Sequence, residues 1–157
     1  MISIENRNAV TDLLAAATLR LDEDELESWV ECFEETAVYR ILSRENVARG
    51  LPLPLFQCDN KNMLRDRVLS LRKANVTNPH RDCHVAGLPA LEAEADGTIS
   101  VTSSYALYQT DPDGVGRLFS VGRYRDRIRI AGSAAKFIER VVIVDMFSIP
   151  TMLSTPI

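Results

Sequence analysis

From His84 to Phe147 the apolar residues recur with a period of two, interrupted at Asp96-Gly97, at Asp111-Pro112-Asp113-Gly114 and at Ala131-Gly132-Ser133. Such a period sends alternate side chains to opposite faces of an extended chain, and the interruptions carry the chemistry of hairpin turns. The block therefore predicts four antiparallel strands, at 84–95, 98–110, 118–130 and 135–147. Strands this long must twist and curl. One face of a curled sheet has to be covered by something else.

The cover comes from the first half. Val10, Leu13, Leu14, Ala17 and Leu21 follow helical spacing from Ile4 to Leu21, and Asp22 and Asp24 stand where acids favour a second helix, one with Leu26, Trp29, Val30 and Phe33 on its apolar side. Trp29, the single tryptophan, is a core residue on this reading. Thr36 to Leu42 is a short strand. Ser43 to Gly50 is polar and turn-like, and two prolines, Pro52 and Pro54, make 51–56 an irregular edge. Asp59 or Asn60 caps a third helix, in which Leu64, Val68, Leu71 and Asn75 form the apolar stripe beside Met63 and Arg67. Arg65, Asp66, Arg72 and Lys73 fall on its polar side, and Pro79 blocks a restart. The expected architecture is α+β: helices packed on one face of a strongly curved, mainly antiparallel sheet, one domain over residues 1–157. The tail after Ser148, with Pro150, Met152, Leu153, Pro156 and Ile157, is too apolar for water, and it packs either on its own domain or on a neighbouring subunit.

Composition narrows the function. Hydrophobic content of 46% and charged content of 25% are those of a globular protein, and no apolar run nears the roughly 20 residues that span a bilayer. Without a basic-then-apolar leader pattern the expected compartment is the cytoplasm. A net charge of −4 argues against nucleic acid or an anionic membrane as partner. Cys32, Cys58 and Cys83 are too widely spaced for a metal knuckle and odd in number, so they read as reduced thiols.

Candidate chemistry is sparse. His80 and His84 are the two histidines; in an extended segment they stand roughly 13 Å apart, too far to bind one metal ion. Cys83 and His84 point to opposite faces of a strand, which defeats a thiol–imidazole pair. Arg123, Arg125, Arg127 and Arg129 share one face of their strand, either as a solvated, salt-bridged surface or as a basic stripe that docks a partner. Asp126 falls on the core-facing register between Tyr124 and Ile128, and Glu139 lies one strand on with Val141 and Ile143. Either carboxylate could serve as a base in a hollow between sheet and helices. Gly114 and Gly116 belong to a hairpin and not to a phosphate loop.

The same residues carry a resemblance. Trp29 and Phe33, Tyr39, Ser43-Arg44-Glu45-Asn46, Gly50-Leu51-Pro52, Asp59, Lys61, Met63-Leu64, Asp66-Arg67, Leu71-Arg72, Asn75, Pro79-His80-Arg81 and His84 resemble the small (β) subunit of Rieske-type aromatic-ring-hydroxylating dioxygenases. Gly122-Arg123-Tyr124-Arg125-Asp126, Glu139-Arg140 and Val144-Asp145 fit the same family, so the resemblance spans essentially the whole chain. Cys83 stands where the family pattern has an arginine. Glu45-Asn46 and Cys58-Asp59-Asn60-Lys61 look most like members serving aromatic acids such as terephthalate, salicylate or anthranilate.

The resemblance implies a nuclear-transport-factor-2-like cone. It also implies a hexamer of α and β subunits (α3β3), in which the Rieske [2Fe-2S] cluster and a mononuclear iron sit in the catalytic α subunit. This chain would then be a structural subunit with no catalytic residue, cofactor or metal of its own. Arg65, Arg67, Arg72, Arg81 and His84 are the candidate intersubunit contacts, because a guanidinium makes planar, bidentate bonds suited to interfaces. The rival is a stand-alone cone isomerase or dehydratase using Asp126 or Glu139, and a third reading is a small-molecule binding module without chemistry.

Overall fold

The computed structural model describes residues 1–51, 53–74, 79–145 and 156–157. Helix α1 (Ile4–Asp22) opens where Ser3 Oγ accepts a bond from the Asn6 amide at 3.1 Å. It closes in a Schellman turn: the Glu25 amide donates to the Arg20 carbonyl and the Asp24 amide to the Leu21 carbonyl. Asp24 thereby takes the left-handed conformation (φ 59°) usually left to glycine. That reversal delays the second helix, so α2 is one short segment, Leu26–Val30, and not the longer helix expected from Asp22 to Phe33.

Strand β1 (Phe33–Ser43) starts earlier than expected, and the polar stretch after it is a helix, α3 (Arg44–Ala48). The reason is local. Ser43 Oγ accepts from the Asn46 amide and caps the turn. A three-residue strand, β2 (Phe56–Cys58), leads to α4 (Lys61–Ala74), capped as expected by Asn60, whose Oδ1 accepts from the Met63 amide at 3.0 Å. Leu64 and Val68 of α4 are buried and Leu71 packs against them; Asn75 lies outside the described residues.

The remaining strands are β3 (Arg81–Ala86), β4 (Ala90–Ala93), β5 (Ile99–Thr110), β6 (Gly116–Ala131) and β7 (Ala134–Val144). The strand expected from His84 to Ala95 is thus two strands. Both pair with β5; Gly87 still donates its amide to the Ser104 carbonyl, and Leu88-Pro89 steps out between them because proline has no amide for the ladder. The sheet order is β2-β1-β7-β6-β5-β3, antiparallel except for β1 beside β7. Irregular register at Leu107/Tyr108 and at Arg127/Ile128 adds twist to the long strands. Helices α1, α2 and α4 cover one side, burying Val10, Ala17, Trp29 and Leu64 against Phe33, Tyr39, Tyr124, Phe137 and Val142. The result is the α+β cone that the strand block demanded. Of the apolar tail, Pro156 and Ile157 pack back into this core; residues 146–155, where the other half of that expectation falls, lie outside the described residues.

One position in the sheet tolerates no side chain. A Cβ on Gly122 would meet the carbonyl oxygen of Ile143 on β7 and the Tyr105 ring on β5. We expect Gly122→Ala to destabilise the fold by about 3 kcal/mol, the upper part of the range for overpacking, read as a lowered urea midpoint at unchanged slope.

Candidate functional site

The place to look for chemistry is the inside of the cone. Tyr39, Arg140, Asp126 and Val101 stand side by side on adjacent strands β1, β7, β6 and β5, so their side chains form one row on the helix-covered face. Asp126 and Arg140 meet there in a two-bond pair: Nε donates to Oδ1 at 2.9 Å and Nη2 to Oδ2 at 3.0 Å. Both side chains are almost wholly buried. The guanidinium also lies over the Tyr124 ring at 4.0 Å and the Phe137 ring at 4.5 Å. Burial pushes the Asp126 carboxyl above its ordinary value, and the adjoining guanidinium offsets part of that push. Burial alone would lower Arg140, but the carboxylate more than reverses this and holds it protonated.

Sequence reasoning placed Asp126 correctly and missed its partner. Arg140 sits next to Glu139, and in an extended chain neighbours face opposite ways, so one of the two had to point inward. The structure sends Arg140 in and Glu139 out. Glu139 lies on the outer face, half-exposed, 3.9 Å from Arg40. It is therefore not a cavity base, which corrects that half of the isomerase reading. The thiols offer no alternative: burial pushes Cys58 up to about 11 and also raises Cys32, while Cys83 is exposed.

The candidate interface residues gather where the helices meet the sheet. Arg72 of α4 clamps the α1–α2 corner, donating to Glu27 through Nε and Nη2 (2.9 Å each), to Asp24 Oδ2 (2.7 Å) and to the Asp24 carbonyl (2.7 Å). Its bonds hold the Glu27 carboxyl down to about 2. Arg65 reaches Glu35 on β1 through both terminal nitrogens and Asn62 within its own helix. At the start of the same helix Lys61, almost fully buried, ends on Glu31 at 2.9 Å, an anchoring role that helical spacing did not reveal. Arg67 lies over the Phe56 ring. His84 is buried, with its Nδ1 2.5 Å from Asp22 Oδ1 and its backbone amide donating to the same carboxylate. Arg81, by contrast, is exposed.

Arg81 lines a cleft of about 650 Å³ at the end of α1, together with Asp22, Asp24, His80, Asp82 and Asp111. Burial raises the Asp82 carboxyl, with His80 and His84 drawing it partly back. Among the described residues no group of three or more His, Cys, Asp or Glu side chains is arranged to hold a metal ion. The cysteines and histidines are not gathered at one place, so among the described residues these donors do not fit the two-Cys, two-His set of a Rieske cluster or the two-His, one-carboxylate set of a mononuclear iron.

Along the outer face of β6, Arg123, Arg125, Arg127 and Arg129 are exposed, as the alternation required. Arg127 pairs with Asp96 and Arg129 with Glu34, each at 2.7 Å. For these two the salt-bridged surface holds.

Two measurements probe this arrangement. Arg140→Leu strands the Asp126 carboxylate in the core and should cost about 3–5 kcal/mol, whereas the double change Asp126→Leu with Arg140→Met should recover most of that loss. The Arg72 clamp depends on ionised Glu27. A depressed carboxyl contributes its stability above 4.5 and loses it as pH falls through about 2. Solvent screening limits the clamp to about 1 kcal/mol, so Arg72→Ala should be less stable by that amount at pH 7, and the difference should shrink as pH falls from 4.5 towards 2, where the bond to the Asp24 carbonyl remains.

The fold and the sequence find counterparts among known proteins. Residues 16–151 match the family model of the ring hydroxylating beta subunit. The anthranilate 1,2-dioxygenase small subunit of Burkholderia cepacia is 38% identical over 137 residues, covering 87% of this chain and 85% of that one. A terephthalate 1,2-dioxygenase terminal oxygenase β subunit of Comamonas sp. is 27% identical, covering 91% and 93%. A crystal structure described as the β subunit of an aromatic-ring-hydroxylating dioxygenase from Novosphingobium aromaticivorans superposes with a TM-score of 0.86 at 39% identity, covering 96% and 95%. The architecture is the nuclear-transport-factor-2-like cone, and the chain belongs to the family of ring-hydroxylating β subunits.

Proposed function

We propose that this chain, as one domain over residues 1–157, is the scaffold of a cytoplasmic oxygenase that hydroxylates an aromatic acid. It associates with other β subunits and holds catalytic α subunits in register as α3β3, the Rieske [2Fe-2S] cluster and mononuclear iron residing in α. The observation that carries this reading is the Asp126–Arg140 pair: the carboxylate inside the cone has both oxygens bonded to one guanidinium. A base has to present an oxygen to its substrate, and this carboxylate is wholly buried with each oxygen held by the guanidinium, so it is placed for packing and not for proton transfer. Kinship with an anthranilate dioxygenase small subunit supports an aromatic acid as the substrate of the assembly.

In this reading Arg65, Arg67, Arg72, Arg81 and His84 mark the assembly surface in two ways. Arg81 is exposed and makes contacts directly, while His84, fixed to Asp22, pins β3 so that Arg81 is presented from a rigid strand. Arg65 and Arg72 hold α4 against β1 and the α1–α2 corner while keeping about two-fifths of their side chains accessible to a partner. Arg67 shapes the same face from its seat on Phe56.

Co-expression with a large subunit bearing Rieske-type Cys and His ligand pairs, followed by light scattering and iron analysis, tests the proposal. The expected result is an equimolar, iron-containing hexamer, with this chain alone iron-free and inactive. Arg81→Glu should weaken assembly at least tenfold without changing the melting temperature of the free chain. A chain that stays apart from the large subunit and turns over a small substrate in an Asp126-dependent way overturns the proposal.

A further inference from the structure

Two charge features of opposite sign stay uncompensated in the single chain, and they lie on different faces. The first is the cleft of about 650 Å³ at the end of α1, where the carboxylates of Asp22, Glu23, Asp24, Asp82 and Asp111 outnumber the cations of Arg81 and His80. Asp22 is committed to His84 and Asp24 to Arg72. Glu23 is exposed, and its carboxylate has no partner among the described residues. Asp82 matters more. Only about 10% of its side chain is exposed, yet its buried Oδ1 accepts no hydrogen bond among the described residues, with His80 Nε2 3.3 Å away. A buried carboxylate oxygen left open in the wall of a cleft is an acceptor waiting for a donor. Among the described residues no three donors converge on one point, so the donor that fits is an organic cation and not a metal ion.

The second feature is on the outer face of β6. Of its four arginines, Arg127 and Arg129 are taken by Asp96 and Glu34, and Arg123 turns a terminal nitrogen back to the Gly122 carbonyl at 3.0 Å. Arg125 is exposed, has no partner among the described residues, and stands between uncharged neighbours, Thr102 on β5 and Val141 on β7. It cannot fill the cleft of its own chain. It lies nine residues along β6 from Gly116, roughly 30 Å from the hairpin beside the cleft, and on the opposite face of the sheet. We propose that the Asp82 cleft receives Arg125 from a second copy of this chain, joining copies head to tail. A cleft on one face and a guanidinium on another make a heterologous contact, which closes into a ring when the rotation allows. Three copies per ring is the number that the α3β3 reading requires, and the inference rests on that reading. The planar guanidinium suits a carboxylate acceptor, and a pair formed inside a cleft is screened less than one on an open face. Arg81, next to Asp82 and pointing the other way, stands at the lip and is left for the large subunit.

Sedimentation velocity of the free chain, from micromolar to near-millimolar concentration and at low and high salt, tests the contact. The parent should associate reversibly, and added salt should loosen the association. Arg125→Glu and Glu23→Lys alter exposed side chains that have no partner among the described residues. Each should therefore keep the melting temperature of the parent while weakening association about tenfold or more. Asp82→Asn, which keeps the shape and removes the charge, should weaken it in the same direction. Mixing is the sharper measurement: the Arg125→Glu chain keeps its cleft and the Glu23→Lys chain keeps its arginine. An equimolar mixture should form a dimer and stop there, because the ring cannot close. A parent that is monomeric throughout, variants that associate as the parent does, or a mixture that stays monomeric overturns the proposal. Should either variant lose its cooperative melting, Arg125→Gln or Glu23→Gln takes its place. Co-expression separates this contact from the scaffold reading. A monomeric chain that still enters the iron-containing hexamer removes the contact and leaves the scaffold function standing, whereas a ring-forming chain that no large subunit joins does the reverse.

Discussion

The fold turns on an ion pair where a sheet would ordinarily place two apolar side chains. Asp126 and Arg140 face each other across β6 and β7 at the centre of the cone, and each alone would carry a heavy desolvation penalty. Together they satisfy one another through two bonds, and the guanidinium's faces are covered by Tyr124 and Phe137. Such a pair contributes little net stability compared with a hydrophobic filling, but it penalises misalignment severely. A one-residue slip of β6 against β7 would separate the charges and turn Glu139 inward in place of Arg140. The pair therefore acts as a register lock on two of the longest strands, whose pairing is already irregular at Arg127/Ile128.

The helices are tied down differently. On the rim, arginines and a lysine from α4 reach acids at the α1–α2 corner, on and just after α2, and on β1. Singly such contacts are weak in water. Their use here is geometric, because α2 has five residues and its N-cap residue makes no side-chain capping bond, so it depends on Arg72 and on Trp29 for its position. The same clamp stabilises Asp24 in a backbone conformation that disfavours any residue but glycine. Local strain and long-range ion pairing are thus coupled at one corner, next to the cleft that contains Arg81.

The parts readable in the sequence were those governed by a period. Alternation fixed the inward face of β6, including Tyr124, Asp126 and Ile128, and the outward arginines; helical spacing fixed Leu64 and Val68. What escaped was set by contacts between distant segments. Arg140 could be recognised as the inward member of Glu139-Arg140 once the register of β7 was known, but Val141 to Val144 are buried on both faces and carry no alternation to reveal it. Helix α3 depends on one serine cap, and the break between β3 and β4 on one proline, signals too local to outweigh composition. The seat of Ile157 on Tyr39 joins residues 118 positions apart, which no periodicity can announce.

A cone-shaped fold is predisposed to enclose a hollow, because a curled sheet and a layer of helices meet at the edges before they meet in the middle. A sequence can leave that hollow empty and place a reactive group beside it, or it can close it. Here three separate devices close it: an arginine laid across two aromatic rings, a cluster of edge-on aromatics around Tyr39, and an isoleucine from the far end of the chain. Each raises rigidity and each removes room for a substrate. A rigid body with charged outer faces can fix the spacing of larger partners, since any flexing of the cone would pass directly into their relative positions. The interior of this subunit is thus best understood through its exterior: the core is filled so that the surface holds still.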